Sequence, residues 1–153
     1  MVATGNRNHT ACLWNPTTRT MTGKPLHGHS RAVTSVAFGT TPDGRTLLAT
    51  GSDDHTVRLW EWDPTTRTMT GKPLHGHSRA VTSVAFGTTP DGRTLLATGS
   101  DDHTVRLWKP ASRQCLGILE RRSEVHSLGG ASQMLAIGDG EGVSVIELSG
   151  LDA

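Results

Sequence analysis

The chain repeats itself almost without change, and this repetition constrains its fold more than any other feature. Residues Pro16 to Trp60 and Pro64 to Trp108 are identical at all 45 positions, at a shift of 48. The segment from Ala3 to Trp14 is a looser copy of the end of this unit, and Ser123 to Leu148 is a weaker copy. Self-similarity at a fixed period of about 20–50 residues indicates an array of stacked, similar units. The sequence therefore predicts such an array rather than one undivided core.

Each unit has the pattern of four short strands separated by turns. Pro42-Asp43-Gly44 is typical of a turn, because Pro fixes φ and Gly supplies a positive φ. The fourth strand is polar and has a proline near its end, which favours a sheet edge. The predicted strands of the first full unit are Ala32–Phe38, Thr46–Gly51, His55–Trp60 and Arg67–Leu74. Over the whole chain the pattern predicts fourteen strands in four sheets, in groups of three, four, four and three.

Several linked motifs of the unit resemble the WD-repeat family. They are a Gly-His pair at 28–29, SVAF at 35–38, PDG at 42–44, GSDD at 51–54 and VRLW at 57–60. The resemblance covers nearly the whole chain. It departs from the family pattern at Trp60, which is followed by Glu61, so that a Trp-Asp pair comes two residues later at Trp62-Asp63.

The resemblance implies an all-β fold, a partial β-propeller of about four blades. Each blade is expected to be a four-stranded antiparallel sheet, with the first and last blades incomplete. The expected segments are a partial blade at 1–26, full blades at 27–74 and 75–119, and a degenerate terminal blade at 120–153. In the terminal blade Arg122 stands at the position of the Gly-His pair, and Ile146 replaces the tryptophan.

A histidine, an aspartate and a hydroxyl recur in each full unit and could form a catalytic triad. The family resemblance implies instead a hydrogen-bonded structural network in each blade. Two identical active sites, each inside a packed sheet, would lack access to a substrate, so no catalytic residue and no enzyme activity are expected. The implied network residues are His29, Thr50, Asp54 and Trp60, and then His77, Thr98, Asp102 and Trp108.

Metal and cofactor sites are not predicted. His27 and His29 would face the same way on a strand and could ligate a metal, as could the second copy of the pair, but zinc sites usually need three or four ligands. Cys115 lacks a local activating pattern for a nucleophile. The chain has no phosphate-binding loop and no GxSxG motif.

Polar residues repeat in the loops that should share one face of the propeller. We call this set the loop row: His27, Ser30, Arg31, Asp53 and His55, and then His75, Ser78, Arg79, Asp101 and His103, with His9 continuing it. The loop row is either a solvated rim or a contact surface for a partner's acidic or polar segment. Trp62 is a candidate aromatic anchor on the opposite face.

Composition excludes several partner classes. The net charge is +1 and no basic run is longer than Arg121-Arg122, so nucleic acid and membrane are not expected partners. Cys12 and Cys115 lie far apart, which favours a reduced, cytoplasmic protein.

These features favour a non-enzymatic protein-interaction scaffold. The alternative is the truncated sensor or regulatory end of a larger signalling protein, of kinase or nucleotide-switch type, whose active module lies outside this chain. Because the end blades of an unclosed array expose apolar faces, self-association or the remainder of a longer propeller is expected to cover them.

Overall fold

The computed structural model describes residues 1–151, in which β-strands are the only regular secondary structure of any length. Sheet 1 contains β1 (Val2–Gly5), β2 (Ala11–Asn15) and β3 (Thr20–Met21). Sheet 2 contains β4 (Val33–Thr40), β5 (Thr46–Ser52), β6 (Val57–Asp63) and β7 (Thr68–Leu74). Sheet 3 contains β8 (Val81–Thr88), β9 (Thr94–Ser100), β10 (Thr104–Lys109) and β11 (Gln114–Glu120). Sheet 4 contains β12 (Val125–Ala131), β13 (Met134–Asp139) and β14 (Gly142–Glu147).

The prediction of an all-β partial propeller with incomplete first and last blades is confirmed. The described residues form four antiparallel sheets of three, four, four and three strands, each in simple up-and-down order. No helix capable of crossing a membrane occurs within residues 1–151.

Short polar motifs set the turns between strands. In the turn between β4 and β5, the Thr41 hydroxyl oxygen accepts a hydrogen bond from the Arg45 amide at 2.9 Å, and Gly44 adopts a φ of 86°. After β6, the Asp63 carboxylate accepts a hydrogen bond from the Thr65 amide at 2.8 Å. Such side-chain to backbone bonds stabilise tight turns, and the identical sequence repeats the first of them between β8 and β9.

Of the strands in sheet 2, β6 differs most from the sequence prediction, while the ends of β4, β5 and β7 shift by one or two residues. The third strand of sheet 2 begins at Val57 rather than His55, because Asp54 holds the preceding residues in a turn. Its carboxylate accepts hydrogen bonds from the backbone amide and the hydroxyl of Thr56, at 2.9 and 2.6 Å. The strand also extends to Asp63, beyond the predicted end at Trp60.

The apolar cores lie between neighbouring sheets rather than within one. Ala49 and Leu59 of sheet 2 pack in one cluster with Leu96 and Trp108 of sheet 3. Similar clusters join sheet 1 to sheet 2 and sheet 3 to sheet 4. A fully buried Leu or Val side chain contributes roughly 1.5–3 kcal/mol. The stability of each sheet therefore depends on its neighbours, as in other repeat arrays.

A β-bulge at the same place in β4, β8 and β12 links neighbouring sheets by hydrogen bonds. At the bulge of β4, the Thr34 hydroxyl donates to the carbonyl oxygen of Val81. The adjacent Ser35 hydroxyl oxygen accepts from the amide of Val84 at 3.1 Å. The same two bonds join sheet 3 to sheet 4. The bulge therefore fixes how one sheet sits on the next.

Candidate functional site: a buried histidine network and an exposed loop row

Four side chains of sheet 2 form one continuous hydrogen-bonded chain. Trp60 Nε1 donates to Thr50 Oγ1 at 3.0 Å, and Thr50 Oγ1 lies 2.8 Å from His29 Nε2. The other ring nitrogen, His29 Nδ1, lies 2.9 Å from Asp54 Oδ2. His29 comes from the segment before β4, Thr50 from β5, Asp54 from the following turn and Trp60 from β6. The network thus ties together two strands, the segment before β4 and the turn between β5 and β6.

Sheet 3 contains the same arrangement. Trp108 Nε1 donates to Thr98 Oγ1 at 2.9 Å, and Thr98 Oγ1 lies 2.8 Å from His77 Nε2. His77 Nδ1 lies 2.8 Å from Asp102 Oδ2. The structure therefore brings together all eight residues that the family resemblance assigned to the network, as two groups of four.

The donors and acceptors of the network fit one direction. The Asp54 carboxylate can only accept, so His29 Nδ1 carries the ring proton and donates it. Nε2 of the neutral ring then accepts the proton of the Thr50 hydroxyl, whose oxygen accepts from the Trp60 indole. The chain of donors therefore runs from the tryptophan to the aspartate.

Burial sets the charge states of the two acid–base groups. Burial lowers the pKa of His29 below its ordinary value, and the hydrogen bond to Asp54 and its charge offset this only in part. Burial alone would raise the pKa of Asp54, but hydrogen bonds from Thr56, the Ser30 amide and His29 hold it well below its usual range. In sheet 3 the same causes lower the pKa of His77 and bring that of Asp102 to about 2. At neutral pH each network holds a neutral imidazole and a charged carboxylate.

The hydroxyl, imidazole and carboxylate of this network follow one another as in the catalytic triad of a hydrolase. A substrate, however, cannot reach the hydroxyl. Thr50 would be the nucleophile and His29 the base, yet the exposed fraction of Thr50 is 0%. Its hydroxyl oxygen is also occupied by the indole of Trp60. A nucleophile must contact a substrate, so the network as folded cannot perform acyl transfer. Its geometry suits a structural role.

The incomplete sheets contain reduced versions of the network. In sheet 1, Trp14 Nε1 donates to Thr4 Oγ1 at 3.0 Å, and the Thr10 hydroxyl donates to Asn8 at 2.7 Å. In sheet 4, Arg121 donates from Nε to Asp139 at 2.8 Å. Arg122, the expected counterpart of the Gly-His pair, is exposed, and Arg121 instead joins the loop before β12 to the end of β13.

Two arginines that sequence reasoning missed lie against the network. The Arg58 guanidinium stands 5.9 Å from the centre of the Trp60 ring, a cation–π distance. A side chain at Gly28 would overlap it, since an added Cβ would lie 2.5 Å from Arg58 Cζ, and Gly28 has a φ of 150°. In sheet 3 Arg106 lies similarly close to Gly76, where an added Cβ would come 2.7 Å from its Nη1. The alternation of β6, which places Arg58 and Trp60 on one face, is the sequence feature that could have indicated this contact.

The loop row lies at one end of sheets 2 and 3. The Ser52 hydroxyl donates to the Arg31 carbonyl at 3.2 Å, and the Asp53 amide donates to the Ala32 carbonyl at 3.0 Å. These bonds hold the segment before β4 beside the turn after β5. Sheet 3 repeats them with Ser100, Asp101 and Arg79.

Most side chains of the loop row are exposed to solvent. His55 and His103 adopt a positive φ of 71° and 67°, in the region where turn residues such as Asn, Asp and His are enriched. Asp53 and Asp101 are half-buried. The exposed members are His9, His27, Ser30, Arg31, His55, His75, Ser78, Arg79 and His103.

The described residues contain no group of three or more His, Cys, Asp or Glu side chains that could hold a metal ion. Of the two histidines considered as ligands in the first unit, His29 uses both ring nitrogens in the network, while His27 is exposed. Trp62 is half-buried between sheets 1 and 2, where it packs with Leu13 and Met69.

The family model described as WD domain, G-beta repeat matches residues 19–61 and 67–109, which together make up more than half of the chain. The chain belongs to the WD-repeat family. Each matched segment of this WD-repeat protein carries one complete network, from the histidine to the tryptophan.

Two curated relatives match over a shorter stretch. The chain is 43% identical to Denticleless protein homolog of Danio rerio over 59 residues, which cover 39% of this chain and 9% of that protein. It is 37% identical to Denticleless protein homolog of Gallus gallus over 59 residues, covering 39% of this chain and 8% of that protein. The match therefore spans less than a tenth of the length of either relative.

Proposed function

We propose that this WD-repeat protein is a non-enzymatic scaffold that binds a segment of a partner protein through the loop row. The observation that carries the proposal is the repetition of the row: sheets 2 and 3 present the same exposed side chains at the same end. WD repeats in general imply a protein-interaction role. The only triad-like groups of the matched repeats are buried in the networks, which supports binding rather than catalysis.

The chemistry of the loop row favours an acidic or polar segment. Arg31 and Arg79 are exposed, and neither forms an ion pair within residues 1–151. Arginine presents a fork of donors that fits carboxylates. Asp53 and Asp101, half-buried beside them, offer acceptors. Because the two sites are identical, a partner with a repeated motif would engage both and gain from a high effective concentration.

The experiment selects peptides from a displayed library of random sequences on the folded chain. The affinity of each enriched peptide is then measured for the wild type and for the Arg31→Ala/Arg79→Ala variant. We expect acidic peptides to be enriched and to bind the variant at least about tenfold more weakly, since about 1.4 kcal/mol corresponds to a factor of ten. Tandem copies of a peptide should bind more tightly than a single copy.

The matched control is Arg19→Ala/Lys72→Ala, which removes the same amount of charge from exposed positions outside the loop row. Peptides that bind this control and the row variant with equal affinity would contradict the assignment of the loop row. Failure to enrich any peptide would contradict the scaffold function in this form.

We also propose that the two end faces of the array are covered by further propeller blades, either from a second copy of this chain or from a longer protein. On sheet 1, Val2 and Met21 are 47% and 42% exposed; on sheet 4, Val143 and Val145 are 79% and 55% exposed. Apolar faces of this kind usually mark an interaction site. The much greater length of the curated relatives favours the longer protein, in which the chain would be a regulatory part of a larger signalling protein.

The solution mass of the purified chain, measured by light scattering, separates the two sources of these blades. A defined oligomer supports the second copy, whereas a stable monomer contradicts it. For the compartment we propose the cytoplasm, on the support that Cys12 and Cys115 are both free thiols.

A further inference from the structure

The same sequence adopts two different conformations in sheets 1 and 2. The segments Thr20–Leu26 and Thr68–Leu74 are both TMTGKPL. The second copy forms β7 over all seven residues and pairs with β6 from Asp63–Thr68 to Val57–Leu74. The first copy pairs with β2 only through Thr20 and Met21, leaves the sheet, and returns in a single bridge between Leu26 and Ala11.

The length of the neighbouring strand explains the difference. The strand β2 has five residues and β6 has seven, because the chain runs from Trp14 directly to Asn15 and Pro16 but from Trp60 through Glu61 and Trp62. Both outer segments begin after the same kind of turn, in which Asn15 or Asp63 accepts amide hydrogen bonds. Both also end opposite equivalent residues. The first copy therefore has two surplus residues.

The surplus residues loop out of sheet 1 at Thr22 to Pro25. Gly23 adopts a φ of 73° in this loop, which is a conformation that favours glycine. In sheet 2 the backbone of the equivalent Gly71 packs against the Trp60 ring, and a Cβ added at Gly71 would lie 2.3 Å from that ring. The loop and β7 thus become the two walls of a groove along the outer edges of sheets 1 and 2.

The groove has an apolar floor and a basic mouth. Its cavity volume is about 930 Å³, within the range of ligand-binding clefts. Its floor includes Leu13, Trp60 and Met69, which are buried, and the half-buried Trp62. Lys24, Arg67 and His27 lie at the mouth and are exposed, whereas no Asp or Glu within residues 1–151 lines the groove.

We infer that this groove binds a short extended peptide of a partner protein that carries one bulky apolar side chain between acidic residues. The apolar side chain occupies the floor beside Trp62, and the acidic residues face Lys24 and Arg67. The charge of the mouth selects the flanking residues, because a basic flank would face two cations with no acid to balance them. The inference rests on the proposed scaffold function and adds a second site to it, built by the Glu61-Trp62 pair of sheet 2, which has no counterpart in sheet 1.

The experiment uses three pools of fluorescein-labelled nine-residue peptides, with Leu, Ile, Phe or Trp at the centre. The flanks are Asp and Glu in the first pool, Lys and Arg in the second, and Ser and Gly in the third. Binding to the full chain is measured by fluorescence polarisation. We expect the acidic pool to bind most tightly and the basic pool most weakly.

The duplicated sequence supplies a matched control. Lys24→Glu/Arg67→Glu reverses the charge at the mouth of the groove. Arg19→Glu/Lys72→Glu makes the same changes at the two equivalent positions of the repeat, which do not line the groove. All four side chains are exposed, so both variants should fold. We expect the groove variant to bind the acidic pool about tenfold more weakly and the control to bind as the wild type does. A second variant, Trp62→Ala, should weaken binding of the acidic and neutral pools alike.

Equal binding of the three pools, or equal loss in the groove variant and its control, would overturn the inference. Loss of binding in Arg31→Ala/Arg79→Ala but not in Lys24→Glu/Arg67→Glu would also overturn it, while leaving the scaffold function through the loop row intact. Loss in the groove variant alone would support the groove even if the loop row binds no partner.

Discussion

Replacing Thr50 by Val tests whether the buried network holds a blade together. The substitution keeps the branched shape of the side chain but removes a hydroxyl whose exposed fraction is 0%. It leaves the indole Nε1 of Trp60, which donates to that hydroxyl at 3.0 Å, without an acceptor. It also leaves Nε2 of His29, 2.8 Å away, without a donor.

An unsatisfied buried polar group costs about 1–3 kcal/mol, and the extra methyl group of Val returns about 0.8 kcal/mol. Because Thr50→Val leaves two such groups unsatisfied, we expect it to lower the free energy of unfolding by about 1–5 kcal/mol. Thr98→Val should lower the free energy of unfolding by a similar amount, because the Thr98 hydroxyl forms the same two hydrogen bonds in its network. The measurement is equilibrium unfolding in urea, followed by circular dichroism, with comparison of both midpoint and slope.

The control is Thr70→Val, at an exposed position of β7. Surface substitutions of this kind usually change stability by less than about 0.5 kcal/mol. If Thr50→Val and Thr98→Val lower the free energy of unfolding no more than this control does, the network does not stabilise the blades, and the structural role assigned to it is wrong.

Two further predictions concern pH and glycine. Because burial lowers the pKa values of His29 and His77 in the folded state, protonation favours the unfolded chain, so the free energy of unfolding should fall as the pH drops below about 6.5. A urea midpoint that stays constant from pH 7.5 to 5 would contradict this, and His→Gln changes at both positions should flatten the dependence. Gly71→Ala should lower the free energy of unfolding more than Gly23→Ala does. The first substitution places a Cβ within 2.3 Å of the Trp60 ring, whereas the second adds only the strain of a positive φ, about 1–3 kcal/mol. Thermal melts of the two variants measure the difference, and equal melting temperatures would count against the two conformations of this sequence.

The repeated pattern was sufficient to predict the strands and sheets, because the alternation of apolar residues and the turn motifs are local properties. The motifs at Gly28-His29 and Trp60 also indicated the network, through family resemblance. The strand pattern predicts a start of β6 two residues too early, because it does not show the hydrogen bonds from Thr56 to Asp54 that keep residues 55 and 56 in a turn.

The conformation of residues 22–25 could not be predicted from their own sequence, because the identical residues 70–73 form a regular strand. The difference depends on the length of the paired strand, β2 or β6. The same limit applies to Arg121, which joins Asp139 through the tertiary fold, and to Arg58, whose contact with Gly28 depends on how the loop before β4 passes over the sheet.

The most direct test of the central claim is the state of the two buried imidazoles in solution. In this account the triad-like groups have a structural role, and the exposed loop row binds a partner protein. Long-range proton–nitrogen correlation spectra of ¹⁵N-labelled chain report the charge and tautomer of each histidine ring. At pH 6.5, where an ordinary histidine is about half charged, His29 and His77 should be mainly neutral, with the proton on Nδ1. Rings that are charged there, or that exchange between tautomers in contact with solvent, would contradict the structural role of the network.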